Sequence, residues 1–122
     1  MFLLLALPAC KNAKKEACGH LLIEVTEAHS QVAKVRSDKS SDLGDIGDKL
    51  KKEATSLREE KISDKTLSSL KDDYADNLDS IGTAYNKLSS KRLDFAGFLR
   101  ETDKTTKEEN RIQGEIVEYC KK

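Results

Sequence analysis

Two histidines and three cysteines are the residues of this chain best suited to do chemistry. His20 has Glu16 and Glu24 one helical turn to either side and Cys18 two residues away. Such a set offers nitrogen, oxygen and sulfur donors to a metal ion. Its spacing matches no established ligand pattern, and a disulfide would remove the thiol. His20 and His29 therefore read as solvated histidines on a helix surface, and no metal is expected. A second group, Asp42, Asp45 and Asp48, resembles a calcium loop in part. Counting from Asp42, Gly47 falls at the sixth position and Glu53 at the twelfth, as an EF-hand requires. The third, fifth and ninth positions are Gly44, Ile46 and Leu50, which bring no side-chain oxygen. These acids are expected to cap and open a helix, not to bind calcium. No nucleophile elbow, phosphate-binding glycine loop, HExxH or CxxC is present. Two imidazoles and no nucleophile motif leave almost no material for acid–base or triad catalysis. No enzymatic activity, cofactor or small-molecule substrate is expected.

The 122 residues allow one modest core. Basic and acidic side chains number 22 each, so they cancel, and the two signs are interspersed as on an ordinary solvated surface. A nucleic-acid binder would carry a basic excess, so no nucleic acid is expected as a partner. With one proline, Pro8, and six glycines, the chain has too few tight turns for a many-stranded sandwich or barrel. Tyr74, Tyr85 and Phe95 sit at helical spacing and read as core. Phe98 lies off that stripe, next to Leu99, and is expected to be exposed and to anchor a partner protein.

Residues 1–10 form an apolar run ending in Leu7, Pro8, Ala9 and Cys10, and Lys11 opens a strongly polar segment. The run is too short to span a bilayer, which takes about 20 residues, but has the length of a signal-peptide core. Leu7-Pro8-Ala9-Cys10 resembles the bacterial lipobox, with Leu and Ala at the expected positions and a less usual Pro between them. The resemblance implies a signal peptide over 1–9, a diacylglyceryl group on Cys10 and a lipid-linked stretch over 10–16. The missing basic segment suits a leader whose true start lies upstream. Lys11 in place of Asp implies, on the same resemblance, an outer-membrane or surface destination in the bacterial cell envelope. The basic cluster Lys11, Lys14 and Lys15 would contribute about 1 kcal/mol per residue against anionic headgroups. The segments Asp72–Leu78 and Glu115–Cys120 are similar to those of short helical bacterial lipoproteins of unknown function, which bring no catalytic residue with them. If Cys10 is acylated, Cys18 and Cys120 remain, and export to an oxidising compartment implies a Cys18–Cys120 disulfide. The alternative is a cytosolic protein with three free thiols.

The elements that must position these groups are helical throughout. Cys18, Leu21, Val25, Ala28, Val32 and Val35 step by three and four, a stripe on a first helix. Residues 37–44 interrupt it. Leu43, Ile46, Leu50, Ala54 and Leu57 form a second stripe, ending near Ile62. Ser63 is a suitable N-cap for a third, with Asp64 in its first turn. That longest stripe runs through Leu67, Leu70, Tyr74, Leu78, Ile81, Tyr85 and Leu88 to Arg92, Phe95 and Leu99. Residues 101–111 contain no apolar side chain. Thr105 or Thr106, with Glu108 or Glu109 three residues on, matches a capping box and predicts a fourth helix carrying Ile112, Ile116, Tyr119 and Cys120. An all-α antiparallel bundle of four helices, up-down-up-down over residues 17–122, brings Cys18 beside Cys120. The alternative is a long two-helix coiled-coil hairpin turning near Ser63. The expected role is structural or protein-binding at the membrane, with a ligand-binding module or a cytosolic adaptor as alternatives.

Overall fold

The computed structural model describes residues 2–37 and 42–122, and of residues 2–12 and 35–37 it describes the backbone alone. Four helices follow in order: α1 (Phe2–Ser37), α2 (Leu43–Glu59), α3 (Lys65–Ser89) and α4 (Phe95–Lys121), with no strand among the described residues. They alternate in direction around one apolar core, so α1 runs antiparallel to α4 and Cys18 meets Cys120. A two-helix hairpin is thereby ruled out. The expected stripes are the buried ones: Cys18, Leu21, Val25, Ala28 and Val32 on α1, and Ile46, Leu50, Ala54 and Leu57 on α2. On α3 they include Leu67, Leu70, Tyr74, Leu78, Ile81 and Tyr85. Each large apolar side chain taken fully out of water contributes roughly 1.5–3 kcal/mol. Val35 lies outside the described side chains.

Helix starts follow local chemistry. Asp42 caps α2, its carboxylate accepting from the Gly44 N–H at 2.8 Å. Asp64, not Ser63, caps α3 by accepting from the Leu67 N–H at 3.0 Å. Between α2 and α3 the backbones touch at Gly47 and Gly82. A Cβ on Gly82 would stand 2.8 Å from the Gly47 carbonyl oxygen, and one on Gly47 would stand 2.7 Å from that of Gly82. Only glycine allows so close a crossing.

The third stripe does not continue to Leu99. Helix α3 stops at Ser89, with Ser90 as C-cap and Lys91 in the left-handed region at φ 62°. The Lys91 N–H donates to Leu88 O at 3.2 Å and the Arg92 N–H to Lys87 O at 2.9 Å, the paired bonds of a Schellman ending. Asp94 then caps α4, accepting from the Gly97 N–H at 2.7 Å. This break resets the helical phase. Phe95 and Leu99 turn outward, 64% and 52% exposed, and Phe98 turns in at 8%. Phe98 packs edge-on against Tyr85, ring centroids 4.9 Å apart. The expectation of Phe98 as an exposed partner anchor is thus corrected: it is a core residue.

Residues 101–111 lie inside α4 and start no new helix. Thr105 and Thr106 direct their hydroxyls to the Thr102 carbonyl, each at 2.8 Å, instead of capping. The polar stretch carries its own buried positions, Thr102 and Glu109. Residues 10–16, expected as a linker, continue the helix of α1, and the Lys14 ammonium sits 4.1 Å from the centre of the Tyr119 ring. The side chains of residues 1–9 and of Cys10, on which the leader and lipidation rest, lie outside the described part.

Candidate functional site

The end of the bundle that holds the disulfide also gathers its polar side chains of mixed chemistry. Cys18 and Cys120 are joined there, their Cα atoms 5.8 Å apart across a separation of 102 residues. Beside them Tyr119, from the last turn of α4, donates its hydroxyl to Asp64 Oδ2 at 2.7 Å. Asp64 already accepts from the Leu67 N–H, and the two donors, the backbone one first, hold its carboxyl below the usual value.

On the neighbouring face His20 and Glu24 stand one turn apart on α1, and Glu60, the C-cap of α2, comes up to meet them. His20 Nε2 lies 2.6 Å from Glu24 Oε1 and 2.6 Å from Glu60 Oε1. The three donor atoms all lie within 4.8 Å of one another. Burial pushes the Glu24 carboxyl up to about 7, helped by a hydrogen bond to Glu60 and by the negative charge of Glu60. His20 is the solvated helix-surface imidazole the sequence suggested, 65% exposed, and it also pairs with two carboxylates. Glu16 takes no part in this group, and the Cys18 sulfur is committed to Cys120.

Glu60 is fixed from behind. Lys71, 3% exposed, sends its ammonium to the carbonyls of Arg58, at 3.1 Å, and Glu60. Its charge complements the C-terminal end of α2, where carbonyls lack partners within the helix. Asp72 supplies a counter-charge 3.3 Å away.

Deeper in the bundle a second polar group ties three helices together. Glu109 on α4 is 3% exposed, and its Oε1 accepts from the Tyr74 hydroxyl of α3 at 2.7 Å and from Nδ1 of His29 on α1 at 2.8 Å. The Tyr74 oxygen also lies 3.2 Å from the Val25 carbonyl. Burial and the adjacent carboxylate push the phenol well above its ordinary range. No buried side-chain nitrogen or oxygen is left without a partner among the described residues.

Of the side chains singled out in the sequence, Cys18 with Cys120 and His20 with Glu24 are brought together, whereas Phe98 joins the core. Glu60, Glu109, Tyr74 and Lys71 carry the polar architecture without having been singled out for it. Glu109 had a readable signal: stepping back from Ile116 by four and three through Ile112 lands on it. Glu60 had none, because its partners lie about 40 positions away on another helix. None of the helices, over the described residues, is long and apolar enough to cross a membrane. The chain matches no protein-family model, no characterised protein and no solved structure.

Proposed function

We propose that the protein is a lipid-anchored bacterial cell-envelope protein whose helical bundle has a structural or protein-binding role and no catalytic activity. The observation that carries this reading is the Cys18–Cys120 pair. Disulfides persist in oxidising compartments, and an exported chain acylated at Cys10 leaves this one pair of thiols. The lipobox-like Leu7-Pro8-Ala9-Cys10 supplies the anchor, with acyl chains contributing about 0.8 kcal/mol per buried methylene.

This reading gives the bundle an orientation. Cys18 lies eight helical steps beyond Cys10, about 12 Å of rise, so the disulfide end faces the membrane. That end carries exposed Lys15, Lys121 and Lys122, suited to anionic headgroups. The far end points away from the bilayer and presents Phe95 and Leu99, one turn apart on α4, to a protein partner. An outer-membrane or surface location agrees with Lys11 following the cysteine.

Intact-protein mass spectra of an envelope fraction from the native host, with and without reductant, test the reading. Loss of residues 1–9, acyl mass on Cys10 and a gain of two hydrogens on reduction are expected. An unprocessed N-terminus with three free thiols would replace the reading with a cytosolic helical adaptor.

A further inference from the structure

We propose that His20, Glu24 and Glu60 form a binding site for one divalent transition-metal ion of the zinc class, which clips α1 to α2. The inference is independent of where the protein resides. The geometry of the donors carries it. A ring nitrogen holds at most one proton, yet two carboxylate oxygens stand 2.6 Å from the same His20 Nε2. One N–H cannot point along both directions, and the three donor atoms stand within 4.8 Å of one another between α1 and α2. A dication placed there satisfies all three donor atoms at once.

The donor set fits such an ion. Imidazole favours zinc and its neighbours over calcium or magnesium, and two carboxylates cancel a double positive charge. Zinc lies about 2.0–2.2 Å from nitrogen and oxygen ligands, which places tetrahedral ligands about 3.4 Å apart. Each carboxylate oxygen, now 2.6 Å from His20 Nε2, has to move less than about 1 Å further from it, within reach of side-chain rotation. His20 is 65% exposed, so an ion can enter and a fourth position stays open to water.

The backbones beneath the donors are held. His20 and Glu24 share one face of α1, two and six residues beyond the cysteine bonded to α4. The Glu60 carbonyl is tied to Lys71 and its N–H to Leu57. Ligands on fixed elements make a better site than ligands on loops. Packing between α1 and α2 is otherwise sparse, far less than between α2 and α3. A metal bridge is therefore the strongest link these two helices would share.

Isothermal titration of the oxidised full chain, with Cys10 alkylated, against zinc chloride at neutral pH tests the site. The expected result is one ion per chain with micromolar affinity and a raised Tm. His20→Ala and Glu60→Gln should each lower the association constant at least about tenfold, the scale on which zinc sites respond to lost partners. His29→Gln, away from the site, should bind like the unaltered chain. Far-UV circular dichroism checks that each variant keeps its helices. Absence of uptake at millimolar zinc overturns the proposal. So does uptake that survives both substitutions unchanged, or that is lost with His29→Gln.

Discussion

Tyr74 is the side chain on which the interior polarity of the bundle turns. Its hydroxyl is one of the two donors to the buried Glu109 carboxylate. Tyr74→Phe keeps the ring and its packing but leaves Glu109 dependent on His29. A buried acceptor stripped of a partner costs about 1–3 kcal/mol, so the urea midpoint of Tyr74→Phe should fall accordingly. An unchanged midpoint would mean that water replaces the hydroxyl without penalty. Asp64 makes a prediction of a different kind. Its folded-state value lies below the ordinary 3.8, so its contribution is present above that pH and is lost as the pH falls through the folded value. Thermal melts of the unaltered chain and Asp64→Ala should differ by the loss of an N-cap, about 1 kcal/mol, near neutrality. The gap should close as the pH drops below 3.8. These polar groups were harder to read than the apolar ones. Hydrophobic periodicity marks which side chains go inward, but a carboxylate becomes a core residue only when partners from other helices reach it.

Helix α4 shows what decides the legibility of an element. Its apolar register runs Phe98, Thr102, Thr105, Glu109, Ile112, Ile116, alternating four and three, with polar residues filling the middle positions. The polarity of residues 101–111 suggested a helix start at Thr105 or Thr106, and the real N-cap, Asp94, lies eleven residues before Thr105. That boundary was obscured because the left-handed position after α3 is occupied by Lys91 and not by glycine. The Asp94 cap that follows is a readable signal, yet it sits inside a run of steps by three and four that suggests continuity. Lys91 gives a direct test. Left-handed backbone costs a side-chain-bearing residue about 1–2 kcal/mol, and glycine adopts it freely at some cost in unfolded-chain entropy. Lys91→Gly should stabilise the protein by about 1 kcal/mol, read as a higher urea midpoint. A lower one would mean that the Lys91 side chain has a role that its exposure conceals. Helices α1 and α2, in contrast, follow their stripes closely over the described side chains, because each buries one unbroken apolar face.

At the scale of the whole molecule, closure was readable where detail was not. An even number of helices brings the first and last elements together end to end, so Cys18 and Cys120 report the parity of the bundle. Their bond closes a loop of 102 residues. Such a closure is worth about 4–5 kcal/mol in the chain-entropy account and about 2–4 kcal/mol in typical measurements. For a domain of ordinary stability, about 5–15 kcal/mol, this is a large share. Reduction should therefore lower the Tm markedly while the far-UV helical signal persists at low temperature. A Tm indifferent to reductant would show that packing alone holds α1 against α4.

The same bond has a consequence for the protein's survival after damage. A protease that cuts once after Lys61, exposed in the α2–α3 turn, produces no separate fragments, because each piece keeps one of the two bonded cysteines. The nicked molecule should run at the full mass on a non-reducing gel and at about half that mass after reduction, because residues 1–61 and 62–122 are equal in length. A chain wounded anywhere inside this loop stays whole by covalent connection, and its halves need not find each other again.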